Sequence, residues 1–301
     1  MKTKSLVLSA ILGIALSAVV LTGCKKNPLD SVLPPTSPSS TDISSAQEES
    51  DASNSINDTR QISDAAMQGN TGQYAPGRNL SVLLTSHCTI GWASDTNSAD
   101  TLYINFGSTP VECNDGRWRQ GEIIVYWTKG SGPYRAAYWD SGSVITMTFN
   151  NYASGNSSGN MVGVAGIRTL TNTGHNAISE ENWKFSSNLT LTYSSSQTAK
   201  WNAVCSDSLV EVNGTYYYEI NGNADGTSRK GDQYTLNIKS PLYVTARPSW
   251  WTPAGCPWVE SGSISINLPN SVILTLDFGT VGKCSDSATA VIAGVHYPFA
   301  M

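Results

Sequence analysis

The sequence predicts an all-β fold, antiparallel, arranged as a sandwich or a curled meander, and three observations carry that expectation. From about Asn79 onward, apolar and polar residues alternate with period two, the mark of strands with one face on a core. Gly, Asn and Pro clusters punctuate the alternation at Gly130-Ser131-Gly132-Pro133, Ser154-Gly155-Asn156, Asn213-Gly214, Asp225-Gly226 and Pro269-Asn270, as hairpin turns require. No long helical pattern separates the strands, which excludes a parallel α/β design.

The individual strands follow from this reading. Ile145, Met147 and Phe149 oppose Val144, Thr146 and Thr148, and Leu189, Leu191 and Tyr193 oppose Thr190 and Thr192. Tyr234, Leu236 and Ile238 alternate with Thr235, Asn237 and Lys239, and Ile264, Ile266 and Leu268 with Ser263, Ser265 and Asn267. About fourteen strands of ordinary length fit into residues 79–301, as one large β domain or two sub-units.

The N-terminus reads as an address. Lys2 and Lys4 precede an apolar and small-residue run from Leu6 to Leu21, closed by Leu21-Thr22-Gly23-Cys24. Basic, then apolar, then small is the order of a secretory signal. The last four residues match the lipobox, where a bacterial signal peptidase cuts and the cysteine thiol takes a diacylglycerol. Residues 1–23 are expected as the signal peptide, Cys24 as the lipidation site and the membrane as a partner through that lipid. The run is shorter than the ~20 residues of a spanning helix.

Residues 24–50, rich in Ser, Pro and Thr, have little to bury and are expected as a disordered tether. Residues 51–78 are expected as a linker with room for one short helix. Within Gln47 to Met67, Ala52, Ile56, Thr59 and Ala66 fall near one face, and Gly69 suits its end. The stripe is thin and leaves that helix either docked or mobile.

Cleavage after Gly23 takes Lys2 and Lys4 from the 18 basic residues, leaving 16 against 23 acidic ones, a charge of −7. No basic block occurs, so nucleic acid is excluded as a partner. Charged residues make up 14% of the chain, against ~25% in ordinary globular proteins.

Two segments repeat one design. Residues 101–115 and 273–286 each run from an apolar strand through Asn or Asp to Phe-Gly, a short loop, Cys, a small polar residue and Asp. Each has an earlier cysteine at similar distance, Cys88 before Cys113 and Cys256 before Cys284. Several pairings are open to five cysteines in an oxidising compartment. The repeat favours Cys88–Cys113 and Cys256–Cys284, with Cys205 left as a buried free thiol.

The phrases Tyr103-Ile104-Asn105-Phe106-Gly107, Cys113-Asn114-Asp115-Gly116-Arg117, Arg119-Gln120-Gly121, Ser240-Pro241-Leu242 and Leu276-Asp277-Phe278-Gly279 with Cys284-Ser285-Asp286 resemble a family of Bacteroidota-type lipoproteins of uncharacterised function. The likeness spans roughly residues 79–295. It implies an outer-membrane location and brings no activity. In such bacteria an acidic stretch after the lipidated cysteine accompanies surface display. Lys25-Lys26-Asn27 stands there instead, which favours a periplasm-facing anchor.

Reactive constellations are few. Gly155-Asn156-Ser157-Ser158-Gly159 has nucleophile-elbow spacing but lies between strands, where a hairpin loop accounts for it. Asn221 to Asp232 has calcium-loop spacing with two carboxylates only, and Arg229 and Lys230 beside them, so a β-turn is the better reading. His87, His175 and His296 are scattered, and no metal and no cofactor are expected. Glu180-Glu181, and Glu112 with Asp115, are the close acids; adjacent strand residues face opposite ways, which makes the first a poor catalytic pair.

Aromatic residues offer more. Trp250, Trp251 and Trp258 crowd a Pro/Gly-bounded loop, and Arg117-Trp118-Arg119 follows Cys113. Exposed Trp stacks on sugar rings, and paired Arg holds anions; buried, the same Trp would simply cover the disulfides. The expected function is a non-enzymatic binding or scaffolding module, with a glycan or an envelope protein as partner. The rivals are an outer-membrane assembly component and a glycan hydrolase with an acidic pair brought together by folding.

Overall fold

The computed structural model describes residues 40–70, 88–94, 99–128, 136–175, 181–246, 256–268 and 273–301. Among them fourteen strands form one antiparallel sheet. β1 (Thr89–Ser94), β2 (Ala99–Asn105), β4 (Trp118–Thr128), β5 (Val144–Ser157), β6 (Asn160–His175), β7 (Glu181–Thr192) and β8 (Thr198–Val212) pair in chain order. The meander continues through β9 (Thr215–Thr227), β10 (Gln233–Thr245), β11 (Val259–Asn267), β12 (Leu274–Asp277), β13 (Ser287–Ile292) and β14 (Val295–Ala300), and the two-residue β3 (Val111–Glu112) pairs with β4. Of the two arrangements expected, the chain takes the curled meander. The sheet is unclosed: β1 pairs only with β2 and β14 only with β13.

Alternation places the core. Ile145 and Met147 are fully buried, as are Leu189, Leu191, Leu236, Ile264 and Ile266 on their own strands, while Val144 opposite them is exposed. Both questioned loops are hairpins, β5 to β6 around Ser158-Gly159 and β9 to β10 around Arg229 to Asp232.

The sheet curls around a helix. α1 runs Ser40–Asn70, 31 residues, or about 46 Å at 1.5 Å per residue. β5 to β10 have 12 to 16 residues each, a comparable length at ~3.3 Å per residue. From Ser45 to Met67 only Gln47, Asp51 and Ala65 are other than buried.

Two expectations are corrected here. The tether does not extend to residue 50, because the chain is helical from Ser40, and the helix is not short. Composition misleads because the helix is polar on every side, holding six carboxylates against the single Arg60. Its apolar stripe is thin, with Ala52, Ile56, Ile62, Ala66 and Met67 joining the core, and polar groups of the sheet receive the rest. α2 (Ala136–Trp139) is a single turn between β4 and β5 that places Tyr138 against α1.

The repeat is structural as well as sequential. Phe106 and Phe278 are both buried. Gly107 N–H donates to Asn105 Oδ1 at 2.7 Å, and Gly279 N–H to Asp277 Oδ1 at 2.8 Å. Phe106 N–H donates to Gly121 O at 2.8 Å, and Phe278 N–H to Gly262 O at 3.1 Å. Gly121 and Gly262 take φ of 76° and 109°. A Cβ there would sit 2.1 Å from Asn151 O or 2.2 Å from Pro241 O, so only glycine fits.

The cysteines do not follow the repeat. Cys256 and Cys284 are bridged, while Cys88, Cys113 and Cys205 are free thiols. Cys205 is buried as expected. The expected Cys88–Cys113 bridge is not formed: Cys88 Sγ turns to Thr89 O and Cys113 Sγ to Val111 O. Burial, with Cys113 adding to it, pushes the Cys88 thiol up to about 12.

Candidate functional site

The densest chemistry lies between α1 and the sheet. In the first half of the helix, Arg229 donates to Glu48 from Nε at 2.8 Å and from its backbone N–H at 3.0 Å. Glu49 accepts from Trp201 Nε1 and Ser53 Oγ, each at 3.0 Å. Burial drives the Glu49 carboxyl up to about 8, against those two hydrogen bonds.

At mid-helix, Arg119 on β4 clamps both oxygens of Asp58, and it grips Asp115 at 2.8 and 2.6 Å. Tyr152 O–H donates to Asp58 Oδ2 at 2.5 Å. Burial alone would raise the Asp58 carboxyl, but the charges of Arg119 and Arg117 outweigh it and hold the group at about 2. Arg168 on β6 donates to Ile56 O and to Thr59 Oγ1.

Toward the helix C-terminus, Asp64 accepts from Arg60 Nε at 2.8 Å, Tyr218 O–H at 2.8 Å and Tyr138 O–H at 2.9 Å. The Arg60 guanidinium lies over the Trp183 and Tyr218 rings at 4.5 and 4.6 Å. Gln61 donates to Thr245 O at 2.9 Å.

This arrangement joins the helix to the sheet. Asp58 and Asp115 share one arginine, but the Asp58 and Arg119 side chains are wholly buried, and the charges present are spent on one another.

The expected site residues separate. Arg117 and Arg119 are corrected from anion-binding candidates to internal groups. Both are buried, with Arg119 on Asp58 and Asp115, and Arg117 Nε 3.6 Å from Asp58 Oδ1. Trp118 sits between them on the opposite face of β4 and is half-buried. Trp258 is half-buried with the Arg117 guanidinium over its ring at 4.8 Å, packed against the core. Trp250, Trp251, Cys24, His87 and Glu180 lie outside the described residues.

Glu112 is exposed, whereas Asp115 is held by Arg119, so these two do not form a pair open to solvent. Among the described residues no cluster of three or more His, Cys, Asp or Glu could hold a metal ion. Among them also, no helix is long and apolar enough to cross a membrane.

Sequence reasoning missed the helix-facing set of Asp58, Asp64, Tyr152, Arg168 and Tyr218. A signal was present: Arg168 and Asp207 occupy positions in phase with Leu170 and with Cys205 and Leu209, where alternation calls for apolar side chains.

A second feature lies on the outer face of β8 to β11. The register aligns Asn202, Asp225, Thr235 and Asn267 in one row across four strands, with Lys200, Thr227 and Gln233 in the next. These side chains line an open cleft of about 730 Å³. Asn202 Nδ2 donates to Asp225 Oδ2 at 3.2 Å. The two rows offer three amides, two hydroxyls, one carboxylate and one ammonium.

No protein-family model, no curated protein and no solved structure matches this chain.

Proposed function

We propose that the chain is a non-enzymatic binding module of the bacterial cell envelope, held on the outer membrane by a lipid on Cys24, with a neutral glycan as its ligand. The cleft across β8 to β11 carries this reading. Its lining is rich in the amide and hydroxyl groups that exchange hydrogen bonds with sugar hydroxyls. Hydrolysis of a glycoside calls for two facing carboxylates, and Asp225 is the one carboxylate that the described residues bring to this lining. The lipobox and the resemblance to Bacteroidota-type lipoproteins support the location, and Lys25-Lys26-Asn27 supports the periplasmic side.

The test is a thermal-shift screen of residues 24–301 carrying Cys24→Ser against envelope glycans and peptidoglycan fragments. The helix is kept because it fills the sheet. A saturable shift lost in Asn202→Ala, Asn267→Ala identifies the cleft. A shift lost only in Trp250→Ala, Trp251→Ala moves the ligand to the tryptophan loop. No shift across a broad panel removes the glycan reading. A second reading, an assembly component, is supported by the outer edges of β1 and β14, which no described strand pairs. Cross-linking in whole cells tests it.

A further inference from the structure

We propose that α1 is exchanged between copies: the helix of one chain seats in the curled sheet of another, so that two chains assemble by swapping it. The idea concerns the chain's own interior and does not depend on the identity of any ligand.

The first ground is topological. α1 belongs to no strand pairing, and the meander β1 to β14 is continuous without it. Removing the helix breaks no ladder. The 17 positions from 71 to 87 give the connection a maximum reach of about 55–60 Å.

The second ground is charge complementarity. α1 brings six carboxylates and one arginine. The sheet answers with Arg119 on Asp58, Arg229 on Glu48, Arg117 near Asp58 and Arg168 on the Ile56 carbonyl. Every copy carries the same pocket for the same helix, so a swapped pair repeats these bonds unchanged, which is why exchange of an identical element is a low-cost route to a dimer.

The third ground is order along the chain. Asp58 meets Arg119 61 positions later, Arg60 meets Tyr218 158 positions later, and Asn54 accepts from Val259 N–H 205 positions later. Non-local contacts of this kind form slowly. The helix precedes its whole receptacle in sequence, and during that interval another copy's sheet competes for it.

Two charge-swapped variants test the exchange, Asp58→Arg and Arg119→Asp, each in the soluble mature chain. Each alone sets like charges face to face. A reciprocal swap between them restores a native Asp–Arg pair in one receptacle and a reversed pair in the other. Co-refolding is expected to give a heterodimer by native mass spectrometry, melting several degrees above either variant. Homogeneous monomers with no gain over the separate variants would overturn the inference.

If neither variant folds, Ser63→Cys and Met147→Cys are placed on separate chains, since Ser63 Oγ lies 3.8 Å from Met147 Sδ. A disulfide between residues 63 and 147 of two chains, mapped by mass spectrometry, supports exchange, and its absence overturns it. Rescue of Asp58→Arg by a synthetic peptide of residues 40–70, without chain dimers, would also overturn it, by showing a receptacle that admits a free helix while chains do not trade theirs.

Discussion

Replacing Glu49 by glutamine should make the protein less sensitive to rising pH. The Glu49 side chain is almost wholly buried, between Trp201 and Ser53. Burial places its carboxyl at about 8 instead of its ordinary 4.5. Between those values the folded chain holds a proton that the unfolded chain has released, so stability falls as pH rises. Each pH unit inside that window costs on the order of 1 kcal/mol, or roughly 2–3 kcal/mol from pH 5 to pH 7.

Glutamine keeps the shape and the acceptor for Trp201 but has no proton to lose. Glu49→Gln is therefore expected to match the wild type near pH 4 and to exceed it by roughly 3 kcal/mol at pH 7. Asp51 and Asp207, raised by burial to about 7 and about 6, tilt stability the same way in both proteins, so the variant still declines, less steeply. Asp58 acts with the opposite sign. Held at about 2, it contributes fully above its ordinary value and loses that contribution as pH falls through 2, below this window. Urea unfolding followed by tryptophan fluorescence at pH 5, 6, 7 and 8 measures the slopes. Parallel slopes would refute the reasoning, since they would mean that Glu49 ionises freely and that α1 is not enclosed.

Arg119→Ala strands Asp58 and Asp115 without their counter-charge and is expected to cost about 3–5 kcal/mol; urea midpoints check it, with Arg119→Lys recovering part of the loss. Cys256→Ser with Cys284→Ser opens a 28-residue separation and should cost about 3–4 kcal/mol by the chain-entropy relation. A non-reducing peptide map should return that bridge with free thiols at Cys88, Cys113 and Cys205; a Cys88–Cys113 bridge would reinstate the pairing the repeat favours. Gly262→Ala drives a Cβ to within 2.2 Å of Pro241 O, and thermal melting should show a loss well beyond the ~1 kcal/mol of a tolerated glycine change.

The strands were legible because their information is local. The alternation in Val144 to Asn150 or Ser263 to Leu268 states which side chains face inward whatever the partner strand is. The turn residues state where each strand stops. The Phe-Gly repeat was legible for the same reason, since its Asx contacts span two residues, from Asn105 to Gly107 and from Asp277 to Gly279.

The fate of Arg117 and Arg119 was not legible. Flanking Trp118 on an alternating strand, they must face together, but nothing near them in sequence says whether that face meets solvent or Asp58. The cleft was hidden likewise: Asn202, Asp225, Thr235 and Asn267 are unremarkable until pairing sets them in one row.

The sequence by itself determined an all-β antiparallel chain, its turns and its duplicated Phe-Gly units, and it favoured the Cys256–Cys284 bridge. Only the tertiary structure decided that the sheet is a single curled meander and that a polar segment fills it. The physical reason is that a helix with carboxylates on every side has only a thin apolar stripe to announce its burial. Ile56, Ile62 and Met67 join the core, and the helix's polar groups are met by Arg119, Tyr152, Arg168, Trp201 and Tyr218, which lie 61 to 158 positions further along the chain in the contacts they make.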